Sequence, residues 1–211
     1  MKPKELEPLS EPLQALTELF RRSGCRGMVI GGIAVGLLGT PRFTADVDAV
    51  VFVDVDALPH FLTLAADVGL VPRISDALAF ARRHRVLLLR HKKSAVHVDV
   101  SLGLLPFEAE AIERGSMVQV GDLTFRIPTP EDLVVFKAVA HRPRDMEDIK
   151  AVVARHPDMD VVRVERWVRD FAEVLEMPEL WEDIAPILQC FRALRSSVHG
   201  SEGSGRSPTE P

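Results

Sequence analysis

Apolar positions recur with helical spacing over residues 11–23, where Leu13, Leu16, Leu19 and Phe20 follow Ser10-Glu11-Pro12. Gly24 and Gly27 end that helix, and Met28-Val29-Ile30 reads as a short strand running into Gly31-Gly32. Ile33 to Leu38 continues as an apolar helix, stopped by Gly39 and Pro41. The valine-rich stretch from Asp46 to Val53 predicts a buried strand with acids at its start. Helices are expected over 57–69 and 75–85. They are followed by a hairpin of Val86–Arg90 and Ala95–Leu102 through His91-Lys92-Lys93-Ser94. A short helix near Phe107–Arg114 precedes a second hairpin, Met117–Val120 and Leu123–Ile127, around Gly121-Asp122.

From Pro130 onward the pattern is helical, over about 130–140, 145–155, 160–175 and 178–195, with edges good to a few residues. Ser196 to Pro211 carries Gly, Ser and Pro with few apolar side chains, so a disordered tail is expected there. Strands mixed with helices come first and helices alone follow, which is an α+β pattern. The expected division is an α/β core over 1–128, a helical part over 129–195 that completes the site, and the tail over 196–211.

The chain has 211 residues, 46% of them hydrophobic and 27% charged, which suits a globular protein with a substantial core. Its net charge of −5 argues against coating nucleic acid by bulk electrostatics. The basic run Arg82-Arg83-His84-Arg85 and Arg90-His91-Lys92-Lys93 reads first as a solvated helix end and turn. Two cysteines make no disulfide framework, the N-terminus has no apolar leader, and no run is long enough to span a bilayer. A cytoplasmic location without membrane contact is the expectation.

Two strands carry acids where valine would be expected. Side chains alternate along a strand, so Asp46 and Asp48 share one face while Val47 takes the other. Their Cα atoms should lie about 6.6 Å apart, two rises of the strand. Such a pair can converge on a hard cation with oxygen ligands, for which magnesium is suited. In Val96-His97-Val98-Asp99-Val100, His97 and Asp99 likewise share a face. An acid inside an apolar strand is costly unless a cation or hydrogen bonds compensate it. If the two strands are neighbours, Asp99 completes a set of three carboxylates. The plainer alternative makes Asp46 and Asp48 strand-edge caps and Asp99 part of the polar face of an edge strand.

Gly31-Gly32 stands where a strand hands over to a helix, a place where backbone N–H groups and the helix dipole can meet a phosphate. Lys137 is the one charge in Leu133-Val134-Val135-Phe136-Lys137-Ala138-Val139-Ala140. It must find a partner, snorkel to solvent, or reach a bound phosphate. Asp145, with Asp148 one turn on, either caps a helix or joins a site.

The run Gly31-Gly32-Ile33 through Arg42-Phe43-Thr44-Ala45-Asp46-Val47-Asp48 resembles the signature of the DNA polymerase beta-type nucleotidyltransferase superfamily. Within it, Lys137 followed by Arg144-Asp145 and Asp148 is similar to the bacterial AbiEii/MenT-type toxin group. Gly32 stands where many members carry serine, so that hydroxyl is missing. The resemblance implies a mixed-sheet fold, a nucleoside triphosphate as donor, and Mg2+ or Mn2+ held by Asp46, Asp48 and Asp99. It further implies Asp99 as the base toward an acceptor hydroxyl. Gly31, Gly32, Arg42, Lys137 and Asp145 would contact the nucleotide, with Lys137 also counted as catalytic beside Asp46, Asp48 and Asp99. The implied acceptor is tRNA, another RNA or a protein, and a cognate antitoxin is an implied partner. The rival reading from the residues is a non-catalytic nucleotide-binding or interaction module on the same scaffold.

Overall fold

A computed structural model describes residues 3–190. The tail expected over 196–211 and the end of the helix expected over 178–195 lie outside the described residues.

The strands are β1 (Gly27–Val29), β2 (Val47–Val51), β3 (Leu70–Pro72), β4 (Val86–His91), β5 (His97–Leu102), β6 (Ser116–Val120) and β7 (Leu123–Ile127). The first helices are α1 (Pro3–Leu6), α2 (Ser10–Ser23), α3 (Gly31–Leu38), α4 (Leu58–Asp67) and α5 (Ala77–His84). They are followed by α6 (Pro106–Arg114), α7 (Pro130–Ala140), α8 (Pro143–Arg155), α9 (Val161–Val174) and α10 (Glu179–Glu182). A further helical stretch covers 185–190. The chain divides into two compact units, Met1–Leu133 and Val134–Pro211, with the boundary inside α7.

In the first unit five strands form a mixed sheet in the order β1-β2-β5-β4-β3, and β6 and β7 form a separate antiparallel hairpin. Only β2 and β5 run parallel; the other neighbours are antiparallel. Period-two alternation sorts the sheet into two faces. Val47, Ala49 and Val51 of β2 are fully buried, as are Val98 and Val100 of β5 and Leu87 and Leu89 of β4. They share one core with Leu13, Leu16 and Leu19 of α2 and Leu58, Phe61 and Ala65 of α4. At roughly 25 cal/mol per Å2 of apolar surface, each such valine, leucine or phenylalanine contributes about 1.5–3 kcal/mol. The other face carries Asp46, Asp48, His97 and Asp99.

α2 follows its apolar stripe and ends at Gly24 with φ +66, the left-handed cap that favours glycine. α8 begins at Pro143 rather than 145, with proline in the first turn and the Asp145 side chain accepting from the Arg142 backbone N–H. The basic residues Arg82, Arg83 and His84 occupy the last turn of α5, where they oppose the helix dipole. β3 went unforeseen: it is three residues long and closes on Pro72, which cannot donate to a ladder. Among the described residues no helix is long and apolar enough to cross a membrane.

Candidate functional site

Register brings the acids together. β2 and β5 are parallel neighbours, and Asp48 and Asp99 are direct partners across them. Asp46 precedes β2 by one residue and falls on the same face as Asp48. The two strands can place acids here because their opposite face carries the valines that bind them to the core.

The loop between β1 and α3 closes over this face. The backbone N–H of Ile30 donates to the carbonyl of Asp48 at 2.9 Å, tying the turn to β2. Gly31 then opens α3 with φ +62. A Cβ on Gly31 would stand 2.7 Å from Cγ of Asp48, so the Asp48 carboxylate fills the space that any side chain would take. Glycine is required twice here, for its dihedral and for the close approach. Gly32 faces the loop before β2: a Cβ there would meet Thr44 Oγ1 at 2.7 Å and an Arg42 guanidinium nitrogen at 3.4 Å. Thr44 in turn donates to the Asp46 carbonyl at 3.3 Å. Ile30, at the N-cap of α3, offers no capping side chain. The first turn of α3, with its dipole, therefore stands directly beside a carboxylate, an arrangement that gathers a cation and an anion side by side.

Arg73 is the residue that sequence reasoning missed. Its backbone N–H donates to the Leu88 carbonyl at 3.0 Å, one step beyond β3, in line with Leu88 and Asp99 across the sheet. From there its guanidinium donates to Asp99 Oδ1 and lies 3.4 Å from His97 Nδ1. His97 Nδ1 is 3.7 Å from Asp46 Oδ1. The expected convergence of three carboxylates is thus only partly met. All three share a face, yet among the described residues no three His, Cys, Asp or Glu side chains are gathered into one ligand set. Asp99 instead accepts from Arg73. By chemistry alone, carboxylate oxygens beside a glycine turn that admits no side chain are donors of the kind a hard divalent cation such as Mg2+ or Mn2+ takes.

Lys137 and Asp145 belong to the second unit. The Lys137 ammonium is buried and lies 2.8 Å from both Asp145 Oδ1 and Asp148 Oδ2. Arg142 adds a 2.7 Å contact from Nε to Asp145 Oδ2. Burial, the largest single influence on the Asp145 carboxyl, pushes its pKa up. Hydrogen bonds from Arg142 and Lys137 outweigh it and hold the group below its ordinary value. Two carboxylates and two cations close this cluster as balanced pairs, and Asp145 also serves the start of α8.

A cavity of about 450 Å3 opens elsewhere in the first unit, among Phe20, Cys25, Met28, Ile112, Met117 and Phe125. None of the three acids lines it.

A mixed sheet with acids on neighbouring parallel strands beside a glycine turn agrees with the fold that the resemblance of the Gly31–Asp48 segment implies. A family model described as nucleotidyltransferase of unknown function (DUF6036) matches residues 4–176, and the chain belongs to that family. The fold is similar to that of an antigenic nucleotidyltransferase-like protein from Paracoccidioides brasiliensis, at 15% identity and a TM-score of 0.51. That match covers 90% of this chain and 94% of the other. A weaker likeness, with a TM-score of 0.45 and 13% identity, is to the antibiotic-resistance factor ANT(2'')-Ia, covering 96% and 98% of the two chains. Another, with a TM-score of 0.41 and 16% identity, is to the lincosamide antibiotic adenylyltransferase LnuA, covering 65% and 91%. No curated protein matches the sequence.

Proposed function

We propose that the protein moves a nucleoside monophosphate from a nucleoside triphosphate, ATP among the candidates, to an acceptor hydroxyl with the help of a divalent cation. The observation that carries this reading is the pairing of Asp48 with Asp99 beside Gly31. The family to which the chain belongs supports the reaction class.

Asp46, Asp48 and Asp99 would hold Mg2+ or Mn2+, which supplies charge neutralisation for the triphosphate. The α3 N-terminus at Gly31-Gly32 receives phosphate oxygens on its free N–H groups. Arg42, whose guanidinium lies beside Gly32, steadies the same turn and the phosphates near it. The acceptor oxygen attacks the α-phosphorus in line, the bond to the bridging oxygen breaks, and pyrophosphate leaves. The acceptor's proton passes to the Asp99 carboxylate, the base of this face. Such chemistry depends on positioning and on fixed charge rather than on covalent participation by the protein. Lys137 is not given a phosphate role in this reading, because Asp145 and Asp148 already take its ammonium.

Incubation with α-labelled nucleoside triphosphates, Mg2+ and a pool of tRNA, other RNA and protein tests the proposal. Label should move to one acceptor class, and Asp46→Asn should abolish the transfer. Nucleotide binding without turnover across all acceptors would favour a non-catalytic module. A place in the AbiEii/MenT-type toxin group, with an antitoxin partner and an RNA acceptor, rests on the resemblance of the Gly31–Asp48 and Lys137–Asp148 segments. Growth arrest on expression, relieved by Asp46→Asn, is its test.

A further inference from the structure

We infer that Arg73 is a built-in counter-cation of the acidic face, which caps Asp99 and competes with a divalent ion for that carboxylate. The inference rests on the reading of Asp99 as part of a cation site.

Three observations carry it. Arg73 stands in the same cross-sheet row as Asp48 and Asp99, anchored by its own backbone at the end of β3. From that anchor, two strands away from β5, its side chain spans β4 to donate to Asp99 Oδ1. Neighbouring strands lie about 4.8 Å apart, so this is close to the full reach of an arginine.

Second, the guanidinium is incompletely satisfied. Arg73 Nε is buried with no hydrogen-bond partner, although buried donors in settled ion pairs are almost always matched. The side chain as a whole is 25% exposed and Asp99 is 33% exposed. The bridge to Asp99 uses the tip of the guanidinium and leaves Nε without a partner. The carboxylate it covers is therefore held without being locked.

Third, the charges require a cation. Asp46, Asp48 and Asp99 are acids on one face, and like charges on one face repel. His97 lies between Arg73 and Asp46, its Nδ1 3.4 Å from the guanidinium and 3.7 Å from Asp46 Oδ1, and Arg73 is the cation in direct contact with Asp99. A divalent ion arriving at the same oxygens would meet Arg73 as a like charge at short range, and the two occupancies oppose each other.

Linkage then fixes the consequence: removing the resident cation strengthens binding of the incoming one. With two charges against one at about 6 Å in a water-like dielectric, the expected effect is roughly tenfold. The test is a Mn2+ titration of the full chain without nucleotide, following free Mn2+ by electron paramagnetic resonance. Arg73→Ala should bind Mn2+ about tenfold tighter than wild type, and Arg73→Lys, which keeps the charge, should fall between them. Unchanged or weaker binding by Arg73→Ala, with wild type binding normally, overturns the inference and leaves the cation site standing. No Mn2+ uptake by the wild type overturns the cation site and this inference together. A second measurement needs no substitution: the Nε–H signal of Arg73 in the wild-type nitrogen–proton spectrum should shift as Mg2+ is added, following the same binding curve. A signal that stays fixed through saturation overturns the competition.

Discussion

Asp48 and Asp99 are direct partners across the β2–β5 pair, the only parallel pair in the sheet, and Gly31 comes so close to Asp48 that a Cβ would stand 2.7 Å from its Cγ. Two strands and one turn therefore define the site, and each is held by burial of its opposite side or by a backbone bond. The Asp48 carbonyl accepts from Ile30 while its side chain faces Gly31, so the same residue orders the turn and presents the carboxylate.

Gly31→Ala should be damaging on two counts. Its φ of +62 costs an L-residue about 1–2 kcal/mol, and the added methyl collides with the Asp48 side chain. Thermal denaturation should show a loss of roughly 2–4 kcal/mol. Calorimetry should show no binding of a triphosphate. Gly32→Ala crowds the Thr44 side chain, Oγ1 at 2.7 Å and Cβ at 2.9 Å, but needs no left-handed backbone, so its loss of stability should be the smaller of the two.

The strand acids and the glycine turn were legible because their signals are local. Alternation placed Asp46 with Asp48 and His97 with Asp99, and a strand-to-helix change around Gly31-Gly32 marked the turn. Arg73 was not legible. It follows a three-residue strand broken by Pro72, and its partner Asp99 is 26 residues away, brought near only by the sheet order. The pairing of β2 with β5 was a condition in the sequence and a fact in the fold. Lys137 could be seen to need a partner, but two carboxylates on α8 answering that need depends on how α7 and α8 pack within the second unit.

Lys137→Met should unfold the second unit at markedly lower denaturant. Asp145 and Asp148 are nearly fully buried, and removing the shared ammonium leaves buried negative charge uncompensated. Breaking one side of a buried pair costs roughly 3–5 kcal/mol. Urea melts followed by circular dichroism measure this. The triple variant Lys137→Met, Asp145→Asn, Asp148→Asn should recover part of the loss.

Acid should act through Asp145. Its folded pKa is held below the ordinary carboxylate value, so the stability it contributes is fully present above about pH 4. That contribution is lost as pH falls through the depressed folded value. Asp145→Asn should be less stable than wild type at pH 6, and the gap should narrow steadily below pH 4. Stability curves at a series of pH values check the sign.

The central claim is tested most directly by titrating a non-hydrolysable nucleoside triphosphate into wild type and Asp48→Asn, with and without Mg2+. That readout needs no acceptor. Wild type should bind in a Mg2+-dependent manner, and Asp48→Asn should bind at least about tenfold more weakly while melting at the wild-type temperature, a loss of about 1.4 kcal/mol or more. Equal binding by the two proteins, or binding indifferent to Mg2+, would contradict the account.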